Sequence, residues 1–238
     1  MDGILPIYKP TEVTSYDVIR TFKRIHHPSY KIGHGGTLDP FADGVLLLLL
    51  GKATKKMNEL MALPKTYRAT AVLGVSSDTL DRTGNLTPET KSQRFTREQI
   101  EQIMQSFVGE YEQEIPDYSA AKVEGKPRYL LARKGIVMDK KTKHVTIYSL
   151  ALEKVVENKV TFSTSVSSGT YVRQLSYDIF KKLGITSHLI SLTRTAIGEY
   201  KVENCARVSD LETKTWEDRV VPLELRSRDV SGERVETP

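Results

Sequence analysis

Apolar residues alternate with polar ones at Tyr67, Ala69, Ala71, Leu73 and Val75, which predicts a half-buried strand over residues 66–75. Residues 159–166 alternate in the same way. Val45 to Leu50 is an unbroken apolar run between Gly44 and Gly51. That suits a strand buried on both faces, although periodicity alone leaves a helix open. Further short strands are expected over residues 4–7, within 144–156 and over 197–202. Helical spacing marks other stretches. Val18, Phe22 and Ile25 predict a helix over residues 15–27, with Ser15 as N-cap and Asp17 in the first turn. Residues 53–63 read as helical and stop at Pro64. Ile100, Ile103, Met104 and Phe107 form a stripe behind Thr96 and Gln99, which have capping-box spacing, and Gly109 stands where a stop is expected. Residues 127–135 make a short helix with Pro first and Gly last. Val172, Leu175, Ile179 and Leu183 predict a helix over residues 170–183. Strands and helices mix without a strand–helix–strand rhythm, so the expected class is α+β with a mixed sheet rather than a doubly wound parallel one.

Composition narrows the function classes. With 238 residues, 39% hydrophobic and 27% charged, the chain is an ordinary globular one, read as one large domain or one domain with an appendage. Its longest aliphatic run falls far short of the ~20 residues that a membrane helix needs. No basic-then-apolar leader opens the chain, and its single cysteine fits a reducing, cytoplasmic setting. Cys205 is the only cysteine, which excludes an internal disulfide and a cysteine-based zinc site. The charge is unevenly spread. Residues 199–238 hold seven basic and ten acidic residues, a net of −3, which leaves +8 on residues 1–198. Residues 122–143 alone carry eight basic residues against Glu124 and Asp139. Such an excess suits either a solvated loop or a grip on a phosphate backbone.

Some motifs can be set aside. Gly33-His34-Gly35-Gly36 lacks the third glycine of a dinucleotide fingerprint, since Leu38 occupies its place. Gly51-Lys52-Ala53 lacks the flanking residues of a phosphate loop. The pair His26-His27 has no ligand partners spaced around it and suits a helix C-terminus instead. Two segments remain. In the first, the glycine turn leads to Asp39, held extended by Pro40, so its carboxylate is presented with little freedom. An Asx-type turn would use the same residues without any function. In the second, Arg173 lies one turn into a helix behind Ser167-Ser168-Gly169, beside Tyr171. A cation there is electrostatically disfavoured unless it has an anionic partner, or unless its head reaches water.

Read together, the motifs resemble a known family. Lys9-Pro10 and Gly33-His34-Gly35-Gly36-Thr37-Leu38-Asp39-Pro40, with Ala42 and Gly44, look like the nucleophile motif of the TruB family of tRNA pseudouridine synthases. Lys65-Thr66-Tyr67-Arg68-Ala69, Ser76 to Asp81, Pro116 to Val123, Gly125-Lys126, Gly169 to Arg173 and Leu192 to Thr195 with Gly198 continue the match in family order. It spans residues 4–200.

The resemblance implies a pseudouridine synthase fold, with a mixed, mainly antiparallel sheet flanked by helices. It implies isomerisation of uridine at position 55 in the T loop of tRNA, without a cofactor or metal, by a monomer. Asp39 aligns with the nucleophile, which would attack either the ribose anomeric carbon or the uracil ring. Tyr67 aligns with the residue that stacks on the target base, with a possible second task as general base. Arg173 would pair with Asp39. His34 would support the opened RNA loop, Leu192 would wall the base, and Lys9 and Tyr171 would shape the pocket from behind. Asp81 is carried over as a further substrate contact. Lys122, Lys126, Arg133 and Lys134 fall where the family holds the RNA backbone. Residues 1–200 are then the catalytic domain, with an RNA-binding insertion around 122–143. Residues 201–238 form a short extension in which a complete C-terminal PUA domain does not fit. Two other classes compete. An RNA-folding module would not need Asp39, Tyr67 and Arg173 together, and a glycosidase would need a second working carboxylate beside Asp39.

Overall fold

The computed structural model describes residues 1–88, 95–213 and 215–223. The chain divides into two compact units, Met1–Ala62 with Gly198–Pro238, and Leu63–Ile197.

In the first unit, strand Gly3–Lys9 pairs antiparallel with Asp43–Leu50 along its whole length. Its other edge carries Ala206–Arg207, running parallel, and Val221–Pro222, running antiparallel. Ile32–His34 pairs with the end of Asp43–Leu50. The apolar run is a strand, and Val45 through Leu50 are all fully buried, as a strand covered on both faces requires. Helix Ser15–His26 lays Val18, Ile19 and Phe22 against Leu5, Ile7, Leu46, Leu48 and Leu50. Full burial of each such side chain contributes roughly 1.5–3 kcal/mol. Residues 201–223, set apart in the sequence as part of an extension, place Ala206, Leu211 and Trp216 in this same core. Trp216 meets Phe22 edge-on, with ring centroids 5.0 Å apart. Residues 224–238 of the acidic extension lie outside the described residues.

The main sheet of the second unit orders its strands Ser187–Ile197, Lys65–Leu73, Lys159–Val166, Thr142–Val156 and Gly109–Glu114, each antiparallel to its neighbour. Helices Arg97–Gln105 and Val172–Lys182 pack on it through Ile100 and Met104 of the first and Val172, Leu175, Ile179 and Phe180 of the second. The architecture is α+β, with mixed but mainly antiparallel pairing.

Three expectations are corrected. The N-cap of the first helix is Thr14, which forms a capping box with Asp17, not Ser15. The single strand expected over residues 197–202 is instead the end of Ser187–Ile197 and a separate pair, Tyr200–Lys201, because Gly198 turns the chain between them at a φ of 52°. Gly109 does not merely end a helix; it opens the strand Gly109–Glu114. Among the described residues, no helix is long and apolar enough to cross a membrane.

Candidate active site

The Asp39 loop is held from behind by groups that are not themselves exposed. Lys9 is fully buried, and its Nζ donates to the carbonyls of Pro10 and Val13, both at 2.8 Å, and of Pro40 at 3.4 Å. The Pro40 carbonyl also accepts from Glu12 N–H at 2.7 Å. On the other side, the Ser15 hydroxyl brackets Leu38, accepting from its N–H at 2.9 Å and donating to its carbonyl at 3.3 Å. Because Thr14 caps the helix, Ser15 is released for this task. Asp39 thus stands half-exposed between two pinned neighbours, and its own carbonyl closes a turn with Ala42 N–H at 3.1 Å. Gly36 and Gly44, both at φ 109°, bound the loop in a conformation that side-chain-bearing residues resist. Leu38, Phe41 and Ala42 anchor it in the interior. His34 ends the preceding strand, half-buried and opposite Leu48.

In the second unit, the alternation along Lys65–Leu73 is realised: Lys65, Tyr67, Ala69, Ala71 and Leu73 are its buried positions. Tyr67, 8% exposed, lies opposite Arg194 on strand Ser187–Ile197, and Leu192, also buried, lies opposite Ala69. Lys65 is buried on this face, and its Nζ donates to Leu63 carbonyl at 2.7 Å. Burial first, and the nearby Arg194 charge second, push the Lys65 pKa down to about 8 from its usual 10.5. Between those values the unfolded chain binds the additional proton, so Lys65 makes stability rise with pH from about 8 towards 10. Lys65→Met should remove that rise. Urea melts of both proteins at about pH 7.5 and 9.5 check this, and identical pH responses would refute it.

Arg173, also buried, starts helix Val172–Lys182, and the structure supplies the anion its position calls for. Its Nη1 lies 3.4 Å from the Asp81 carboxylate and donates to Thr79 carbonyl at 2.6 Å. Its Nη2 donates to Tyr118 carbonyl at 3.0 Å. Asp81, expected among the substrate contacts, is 4% exposed and occupied within the protein. Beyond Arg173, it accepts from Thr83 N–H at 2.9 Å and from the hydroxyls of Thr79 and Thr83. Leu80 precedes it in the left-handed region at φ 62°, a conformation that costs a leucine about 1–2 kcal/mol. Its carbonyl is held there by Leu189 N–H at 3.0 Å.

The remaining residues fall into two groups. Tyr171 is half-buried at the N-cap of the Arg173 helix. Lys122, Lys126, Arg133 and Lys134 are all exposed on the segment between strands Gly109–Glu114 and Thr142–Val156. That segment is a small hairpin, Lys122–Val123 with Lys126–Pro127, followed by helix Arg128–Ala132. It is closed by a residue that charge alone did not single out. Arg128 is 2% exposed, pairs with Asp117 and donates to Asp139 carbonyl at 3.2 Å. Ser15 and Gln113 were likewise not anticipated. No signal in the sequence distinguishes Ser15 from a helix cap, whereas a glutamine in a polar strand could have been questioned.

The family described as TruB family pseudouridylate synthase (N terminal domain) matches residues 23–172. The chain belongs to the TruB family. Among TruB relatives, tRNA pseudouridine synthase B of Clostridium tetani is 39% identical over 224 residues, covering 94% of this chain and 77% of its own. The enzyme of the same name from Geotalea uraniireducens is 40% identical over 219 residues, covering 92% and 70%. Among solved structures, a Cbf5-Nop10-Gar1 complex matches 93% of this TruB chain with a TM-score of 0.73 at 27% identity. The chain spans 60% of the length of that protein.

Proposed function

We propose that this TruB-family chain isomerises the uridine at position 55, in the T loop of tRNA, to pseudouridine, with Asp39 as nucleophile. The bond between the base nitrogen and the ribose anomeric carbon breaks, the ring turns, and a carbon–carbon bond replaces it. The proton displaced from the base carbon is balanced by one gained at the freed nitrogen, so no co-reactant is needed. The observation that carries this reading is the Asp39 loop. A half-exposed carboxylate stands between neighbours pinned by buried Lys9 and Ser15, in a chain whose relatives are named for this reaction. Tyr67 stacks on the extruded base and is the candidate base for the carbon-bound proton. Arg173, held in its own unit by Asp81, Thr79 and Tyr118, supplies the positive charge that the reaction at Asp39 calls for. Leu192 walls the base, His34 supports the opened loop, and Tyr171 and Lys9 shape the pocket from behind. Flipping the base costs a few kcal/mol, which such stacking offsets. The exposed Lys122, Lys126, Arg133 and Lys134 hold backbone phosphates. Residues 1–200 act as the catalytic domain and 201–238 as its extension, in a cytoplasmic monomer. The test is incubation of the purified protein with unmodified tRNA, followed by pseudouridine mapping. A single new pseudouridine in the T loop is expected, and modification elsewhere or none would overturn the reading.

A further inference from the structure

The strand pair that carries the insertion also grips the turn that presents Tyr171 and Arg173. Gly109–Glu114 and Thr142–Val156 pair from Gly109 opposite Ile147 to Glu114 opposite Thr142. Ile115 N–H to Lys141 carbonyl, 2.8 Å, closes the last rung before the chain departs into the insertion. Gln113 and Lys143 are directly opposite one another in this ladder, so their side chains share a face. Both reach residues 169–171. Gln113 is fully buried; its Oε1 accepts from Tyr171 N–H at 2.7 Å and its Nε2 donates to Tyr171 carbonyl at 3.1 Å. Lys143 Nζ donates to Gly169 carbonyl and lies 4.4 Å from the centre of the Tyr171 ring. Gly169 has φ 79°, a conformation that favours glycine; a Cβ there would come within 2.9 Å of that ammonium, which the flexible lysine could relieve by shifting.

Other contacts run the same way. Tyr111, on the same face of the strand as Gln113, donates its hydroxyl to Asp178 of the Arg173 helix. Tyr118, at the start of the insertion, supplies a carbonyl to Arg173 itself. A buried amide whose hydrogen bonds both close on one residue's backbone is poorly explained as core filling, because an apolar side chain would fill the space without polar groups to satisfy. It is well explained as a clamp that sets where Tyr171 and Arg173 stand.

We propose that Gln113 and Lys143 are positioning residues for the Tyr171–Arg173 turn, so that the stem of the RNA-holding insertion sets the geometry of the reaction. The inference rests on the function proposed above. The experiment compares wild type, Gln113→Leu, Lys143→Met and Lys143→Arg. It measures single-turnover pseudouridine formation at saturating protein, equilibrium binding of unmodified tRNA, and thermal melting. Gln113→Leu should slow turnover about tenfold and Lys143→Met about fivefold, with the tRNA Kd within about twofold of wild type. Lys143→Arg should restore most of the rate, because it keeps a cation over the Tyr171 ring. A structural role alone would lower melting and binding together without this split. If Gln113→Leu fails to fold, the half-exposed Lys143 variants decide. Wild-type rates in Gln113→Leu and Lys143→Met, or losses confined to binding, would overturn the inference. A wild-type protein that forms no pseudouridine would instead overturn the functional reading.

Discussion

Asp39→Asn is expected to lower pseudouridine formation by more than about 10³-fold, some 4 kcal/mol on the barrier, with tRNA affinity within about threefold of wild type. The amide matches the carboxylate in shape but lacks the charge and nucleophilicity that the reaction needs. The loop should keep its conformation, because its neighbours are held through backbone groups. Lys9 and Glu12 N–H bind the Pro40 carbonyl, and Ser15 binds both polar groups of Leu38. Loss of rate without loss of melting temperature therefore isolates chemistry from folding. The rate is read as release of label from the base carbon of tRNA uridine, and affinity as retention of tRNA on a filter. Turnover within about tenfold of wild type would remove Asp39 as nucleophile.

How much of this was legible depended on the kind of physical signal each element carries. Lys65–Leu73 and Lys159–Val166 each bury one face, so their alternation survives in the sequence; the second emerges where expected, while the first ends at Leu73 because Gly74 turns the chain at φ 77° and Val75 opens a separate strand. The helix behind Thr96 is marked by a local capping box, and the structure contains it. Ser187–Ile197 escaped because irregularities between Leu189 and Ser191, and between Arg194 and Ala196, break the period of two. It also buries His188 and Arg194, which read as surface residues. Gly109–Glu114 escaped for a related reason. Its sequence, GEYEQE, is almost wholly polar, and what makes it a strand is pairing with Thr142–Val156, a contact distant in sequence. The same limit applies at the site. Asp39, Tyr67 and Arg173 stood out through motifs and their resemblance to the TruB family. Ser15 and Gln113 act through hydrogen bonds to residues that the fold brings near, and no spacing rule encodes those; Asp81 is held by Thr79 and Thr83 two residues away, and only its ion pair with Arg173 is distant in sequence.

Arg173→Lys should prove far more damaging than its conserved charge suggests, lowering the rate by about 10²-fold, some 3 kcal/mol on the barrier. The guanidinium is spread over three partners in fixed directions: the Asp81 carboxylate and Thr79 carbonyl through Nη1, and the Tyr118 carbonyl through Nη2. A lysine ammonium is a single centre on a flexible stem and cannot span those positions. Whichever partner it keeps, others lose a donor in a buried setting, where an unpaired polar group costs roughly 1–3 kcal/mol. Asp81 is the most exposed to this loss, because its charge is buried and the turn holding it already carries a left-handed Leu80. A paired change therefore separates the contributions. Asp81→Asn alone should leave Arg173 short of its anion and slow turnover. In the double variant Asp81→Asn with Arg173→Lys, the two losses should fall short of adding, because each has already broken the same contact. Single-turnover rates at saturating protein across this cycle measure the coupling. Strict additivity would mean that the two residues act independently of their contact. An unchanged rate in Arg173→Lys would mean that the fork geometry is dispensable and that only the positive charge matters.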